Sequence, residues 1–139
     1  AEGIYFTAGD REALGRARQA RFLVASPRGG SVLHGEGVPL DALVYSAHDH
    51  DEAAMAEQVA ARARLMVATE GAAGGGWWGD SSGRWNPDPV PGEPRDSYGC
   101  GDSFAAGFTF GLAQGGHVAQ AAAVGALCGA RRLTQSGAP

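Results

Sequence analysis

The apolar positions change their period several times along the chain, and each change marks an element. Gly3 to Thr7 (GIYFT) is a short apolar run that reads as a strand. Asp10 then stands as the cap of a helix whose Ala13, Leu14, Ala17 and Ala20 fall at helical spacing. Arg21 to Ser26 (RFLVAS, with PRGG behind it) and Asp41 to Ser46 (DALVYS) are continuous apolar runs and predict buried strands. A second helix is expected after Asp51, through Ala54, Met55, Gln58 and Val59, and RLMVATEG then gives a fourth strand ending in glycine. Strand, helix and strand in succession, with the strands apolar throughout, predict an α/β fold: a mostly parallel sheet with helices on both faces.

After Gly71 the texture changes to Gly, Pro and Trp. GGGWWGD and GRWNPDPVPGEP, with DSSG between them as a turn, predict a β-hairpin followed by an irregular crossing loop from Pro87 to Pro94. Trp77, Trp78 and Trp85 are expected to cover the core or its edge. The most apolar stretch, Phe104 to Ala130, is cut by QGGH at Gln114 to His117, which predicts two helices. Gly107 and Gly111 have the spacing of a membrane helix-pairing motif, but both pieces are shorter than the roughly 20 residues a span requires, so no membrane association is expected.

Composition narrows the chemistry. A chain of 139 residues fits one domain and can bury roughly two-thirds of its unfolded surface. Net charge is −4, and the eleven basic residues are dispersed arginines, which argues against a nucleic-acid partner. The absence of lysine excludes a Walker-type phosphate loop, a Schiff-base enzyme and a protein-kinase ATP lysine. The two cysteines, Cys100 and Cys128, with no signal peptide ahead of them, predict a reduced, cytoplasmic protein. The opening AEGIYFTAGD lacks an initiator Met and reads as a strand entered mid-domain, so a fragment is expected.

The densest chemistry lies in DSYGCGDSFAAG, Asp96 to Gly107. Gly99-Cys100-Gly101-Asp102 falls just ahead of a helix expected from Ser103 onward. The first N–H groups of a helix have no internal partner and carry the positive end of its dipole, so they favour an anion, and glycines let it approach. Asp102 could also be a plain N-cap. A dinucleotide fingerprint fails because Phe104 occupies the place of its third glycine. A GDS-type serine esterase with Ser103 as nucleophile needs an acid and a histidine near the end, and the only later histidine, His117, has Gly115, Gln114 and Leu112 before it. Cys100 at a helix start could be a reactive thiol, but with no histidine near it in sequence it reads as a small filler. His48, Asp49, His50 and Asp51 read as a solvated loop and helix cap ahead of a metal site.

Asp96 to Asp102 resembles the D-T-x-G-A-G-D signature of the ribokinase-like (PfkB) carbohydrate kinases, with Ser97 for Thr and Cys100 for Ala. VATEGAAG (Val67 to Gly74) resembles that family's T-x-G-x-x-G turn, and LTQSGAP (Leu133 to Pro139) its closing loop. The resemblance implies a ribokinase-like fold, with residues 1–139 as the C-terminal, nucleotide-binding portion of the kinase domain. The sugar-recognition residues and lid, and a homodimer formed through that lid, would belong to an N-terminal half. It implies ATP-dependent phosphorylation of a sugar or nucleoside hydroxyl, with Mg²⁺ and K⁺ as cofactors. Asp102 would be the base, the N–H groups at Gly99, Cys100 and Gly101 the anion hole, and Thr69, Gly71 and Gly74 the nucleotide-binding residues. The family's N-x-x-E, which helps to order Mg²⁺, would correspond to Ser46 and Asp49. Its monovalent-cation site would use Asp96, Tyr98, Arg132, Gln135 and Gly137, mostly through backbone carbonyls. A non-catalytic nucleotide-binding relative is the alternative, favoured by Ser46 in place of Asn.

Overall fold

A computed structural model describes residues 2–30, 33, 37–87 and 100–133 of the chain. Six strands form one sheet: β1 (Gly3–Phe6), β2 (Phe22–Ala25), β3 (Leu40–Ser46), β4 (Ala63–Thr69), β5 (Gly75–Gly79) and β6 (Gly83–Trp85). Their spatial order is their order in sequence, with β1 to β4 parallel, β5 antiparallel to β4 and β6 antiparallel to β5. The described residues also form helices α1 (Arg11–Ala17), α2 (His50–Val59), α3 (Cys100–Ala113) and α4 (Val118–Leu133).

The apolar strands are apolar because both faces are covered. Val24, Ala42, Val44, Leu65 and Val67 point to one side, where they meet Phe104, Phe108 and Leu112 of α3 and Ala121 and Ala122 of α4. Their neighbours Leu23, Ala25, Leu43 and Met66 point to the other side, against Leu14 and Ala17 of α1 and Ala56 and Val59 of α2. A strand of period two between two helical layers has no polar side to show. Trp77 and Trp85 are buried with the first cluster, and the Trp85 ring stacks on Phe104 with centroids 4.7 Å apart. Trp78 alone of the three is exposed, edge-on to Tyr45.

The QGGH break is a C-cap. Gly115 takes a positive φ of 83°, its N–H donates to the Leu112 carbonyl, and the Gly116 N–H donates to that of Gly111, which is a Schellman ending. The chain then restarts at α4, where the Gln120 side chain accepts from the His117 N–H. The small residues of α3 and α4 serve contact between these two helices: a Cβ on Gly107 would lie 2.8 Å from Cys128 Sγ, one on Gly111 2.7 Å from Ala121 Cα, and one on Gly125 2.8 Å from the Phe104 carbonyl. Among the described residues no helix is long and apolar enough to cross a membrane, and Cys128 is free.

Two helix starts differ from the sequence expectation. α2 begins at His50 rather than after Asp51, because Asp49 is the residue whose carboxylate caps it. α3 begins at Cys100 rather than Ser103, so Asp102 lies inside its first turn and is not its N-cap. The crossing loop beyond Pro87 lies outside the described residues.

Candidate active site

The carboxyl ends of the parallel strands gather most of the predicted residues on one edge of the sheet. β3 and β4 end in register, Ser46 opposite Thr69, and the Ala47 N–H donates to the Thr69 carbonyl at 2.9 Å. The Thr69 hydroxyl donates to the Tyr45 carbonyl at 3.3 Å. Beyond Thr69 the chain makes a tight 3-10 turn, Gly71–Ala73, closed by the Glu70 N–H on the Gly74 carbonyl and the Gly74 N–H on the Gly71 carbonyl. Gly71 and Gly74 both have positive φ, 59° and 89°, a conformation in which glycine carries little strain. The predicted T-x-G-x-x-G segment is thus a defined turn at the mouth of the sheet.

The adjoining segment, Ser46 to Asp51, lines a shallow open recess together with His48, Asp49 and His50. Here Asp49 Oδ1 accepts from the N–H groups of Asp51 and Glu52 at 3.0 and 3.1 Å. Glu52 reaches back so that its carboxylate accepts from the Ser46 N–H at 3.1 Å. Both acids therefore act on local backbone, and Asp49 and Glu52 stand three residues apart at the start of α2.

At the start of α3 the arrangement is different. Asp102 Oδ1 accepts from the Tyr5 hydroxyl of β1 at 3.2 Å and is ion-paired with the guanidinium of Arg28, which follows β2. The first-turn N–H groups of Cys100, Gly101 and Asp102 have no partner within the helix. Gly101 is exposed, and a Cβ there would meet nothing within 4 Å. Among the described residues nothing crowds that glycine.

Tyr5 is partly buried, and burial pushes its hydroxyl above the usual tyrosine value. Ser26 and Arg28 beside it act the other way, and the Glu52 charge adds to the rise. Glu70 lies below the usual carboxylate value because the Arg84 side chain hydrogen-bonds it, with an N–O distance of 2.6 Å.

A family model described as pfkB family carbohydrate kinase matches residues 40–139. The chain belongs to the pfkB carbohydrate kinase family. This pfkB-family chain is 37% identical over 102 residues to the fructoselysine 6-kinase of Shigella flexneri, a match covering 71% of the chain and 39% of that relative. Among solved structures it is similar to a microbiome-derived acarbose kinase (TM-score 0.68, 29% identity, 91% of this chain and 47% of that one). It is also similar to the nucleoside kinases of Burkholderia thailandensis (TM-score 0.75, 18% identity, 91% and 46%) and Methanocaldococcus jannaschii (TM-score 0.74, 16% identity, 99% and 51%), which at such identity speak for the fold alone. The chain spans 39% of the curated relative and about half the length of these structures.

The matched segment contains Asp49, Thr69, Gly71, Gly74 and Asp102, but Tyr5 and Arg28 precede it. Sequence reasoning missed Tyr5, Arg28 and Glu52. The one available signal was an isolated arginine just beyond the apolar run of β2. Of the expected pfkB monovalent-cation residues, Arg132 lies in the last turn of α4, while Asp96, Tyr98, Gln135 and Gly137 lie outside the described residues, as does Gly99 of the anion hole. His117 sits beyond the far end of α3, a helix of 14 residues and therefore about 20 Å, so it offers no base to Ser103.

Proposed function

We propose that the protein transfers a phosphoryl group from ATP to a hydroxyl of a sugar or nucleoside, with Asp102 taking the hydroxyl proton. The observation that carries this reading is the position of Asp102. It lies in the first turn of α3, beside N–H groups that have no partner within the helix, and is anchored from outside its own helix by Tyr5 and Arg28. Family membership supports the reaction class.

ATP bound with Mg²⁺ would supply the transferable phosphoryl group. The donor set suits a nucleotide-borne metal: among the described residues no group of three or more His, Cys, Asp or Glu side chains is arranged to hold an ion by itself. Asp49 and Glu52 at the strand ends are the acids that would meet Mg²⁺ through water. The N–H groups of Cys100, Gly101 and Asp102 would stabilise charge on the phosphoryl oxygens, which is how a chain without lysine can do so. Thr69 and the Gly71 to Gly74 turn would line the nucleotide. Asp102, paired with Arg28, would accept the proton as the acceptor oxygen attacks.

The test compares wild type with Asp102→Asn and Ser103→Ala in the gene product containing this chain, with ATP, Mg²⁺, K⁺ and a panel of sugars and nucleosides. Turnover is expected to fall on the order of 10²–10⁴-fold in Asp102→Asn and to persist in Ser103→Ala. Wild-type turnover by Asp102→Asn would sink the assignment, and loss only in Ser103→Ala would revive the esterase. ATP binding without turnover in the wild type would mark a non-catalytic relative.

A further inference from the structure

We propose that Arg28 is a positioning residue for Asp102: with Tyr5 it anchors one carboxylate oxygen, Oδ1, and leaves Oδ2 to face the acceptor hydroxyl. The inference rests on the reading of Asp102 as the base.

Three elements distant in sequence meet at this one oxygen. Tyr5 comes from β1 and is 97 residues from Asp102, and Arg28 comes from the turn after β2 and is 74 residues away. That turn is built to hold its place. Ser26 is buried and its hydroxyl accepts from the Arg28 N–H at 3.2 Å, Pro27 starts a 3-10 turn, and Gly30 closes it at a φ of 73°. Arg28 is thus presented from a fixed backbone at the carboxyl end of the sheet.

A contribution to stability does not account for the pair. The two side chains are 52% and 45% exposed, and pairs so open to water are worth only about 0–1 kcal/mol. Local capping does not account for it either, since Asp102 accepts from other elements whereas Asp49, at the start of α2, accepts from its own helix. A general base must offer a lone pair in a fixed direction, and a carboxylate held at a single point can swivel. Two donors on Oδ1 restrain that motion and keep Oδ2 clear. Among the described residues, the charged and titratable groups that face this anchor are the Arg28 guanidinium, the Tyr5 hydroxyl and, through its charge on Tyr5, Glu52.

The experiment uses the gene product containing this chain and the best acceptor from the sugar and nucleoside panel. It compares Arg28→Ala, Arg28→Lys, Tyr5→Phe, Asp102→Asn and the double variant Arg28→Ala/Asp102→Asn. Arg28→Ala is expected to lower kcat at least tenfold with KM for the acceptor within about threefold of wild type. Arg28→Lys should recover part of the loss, Tyr5→Phe should lose less, and the double variant should be no slower than Asp102→Asn, because the anchor acts only through Asp102. A second readout needs no acceptor: the phenolate absorbance of Tyr5, taken as the difference from Tyr5→Phe, should titrate at higher pH in Arg28→Ala, since Arg28 favours the phenolate.

Unchanged kcat in Arg28→Ala, with Asp102→Asn inactive, would overturn the positioning role and leave the base assignment standing. A rise in acceptor KM alone would make Arg28 a substrate contact and overturn it as well. An unshifted Tyr5 titration would mean that the anchor does not form. Full activity of Asp102→Asn would remove the base assignment and this proposal with it.

Discussion

Helices α2 and α3 both begin at the carboxyl end of the sheet, and both carry acid in their first turn, yet the acids are used in opposite ways. Asp49 folds back on α2, accepting from the N–H groups of Asp51 and Glu52, and Glu52 binds the Ser46 N–H. Asp102 turns away from α3 and is met by Tyr5 and Arg28. The consequence is electrostatic. At α2 the exposed donors of the helix start are already satisfied by a carboxylate, which also offsets the dipole. At α3 the carboxylate is held by partners from other elements, which on the proposed reading leaves the N–H groups of Cys100, Gly101 and Asp102 to an anion. A helix start with an acid in it can thus be closed or open, and the partner of the acid decides which.

The sharpest way to break this contrast is to remove the charge from each acid without changing its size. Asp102→Asn is expected to cost on the order of 10²–10⁴-fold in turnover with little change in unfolding temperature. Asp49→Asn should lose less, because asparagine keeps the helix cap and only the charge that would meet Mg²⁺ through water is removed. Equal losses in the two variants, measured side by side with the same acceptor, would mean that the two starts do not differ in role.

Gly101 tests the open start more finely. Helical alanine is more stable than glycine by roughly 0.5–1 kcal/mol, and a Cβ at this position meets nothing in the described chain. Gly101→Ala is therefore expected to unfold at a slightly higher temperature while turnover falls about tenfold or more, from the Cβ intruding where phosphate approaches. At Gly107 and Gly125, where the added atom would strike the facing helix, stability should fall. A Gly101→Ala variant as active as wild type would show that the first turn of α3 receives no anion.

These contrasts also mark what could be read in the sequence. The sheet and its two helical layers follow from local pattern: Phe22–Ala25 of RFLVAS and Leu65–Ala68 of RLMVATEG are continuous apolar runs because both faces are covered. Local glycine chemistry is equally legible, as at Gly115, which ends α3 where QGGH predicts a break. Helix starts are less so, since SAHDHDE offers two aspartates within three positions and the choice of Asp49 depends on where β3 lets go and on Glu52 reaching Ser46. Arg28 stands in the sequence only as part of the PRGG that follows the apolar run of β2. Its meeting with Asp102 across 74 residues comes from β1 and β2 lying side by side under α3, which no short window contains.

The closed start should respond to a different variant. Removing the carboxylate with Asp49→Ala leaves two first-turn donors to water, and the loss of such a cap costs about 1 kcal/mol (range about 0.5–2). The expected result is a drop of a few degrees in unfolding temperature, with turnover changed far less than by Asp102→Asn.

The smallest effect is in alkali. Tyr5 at the α3 anchor and Tyr45 near the hairpin are both raised from 10.0, first of all by burial. A raised pKa means that the native state holds its proton more tightly than the unfolded chain. Stability from these two groups is therefore complete below about pH 10 and is lost as the pH rises through their folded values. Unfolding temperature should decline as the pH rises above about 10, and Tyr5→Phe should decline less steeply than wild type. The Arg28→Ala variant should decline more steeply than wild type, because it removes a charge that favours the Tyr5 phenolate in the native state. If all three profiles coincide, Tyr5 is as free in the fold as in the unfolded chain, and the anchor that sets α3 apart from α2 is not in place.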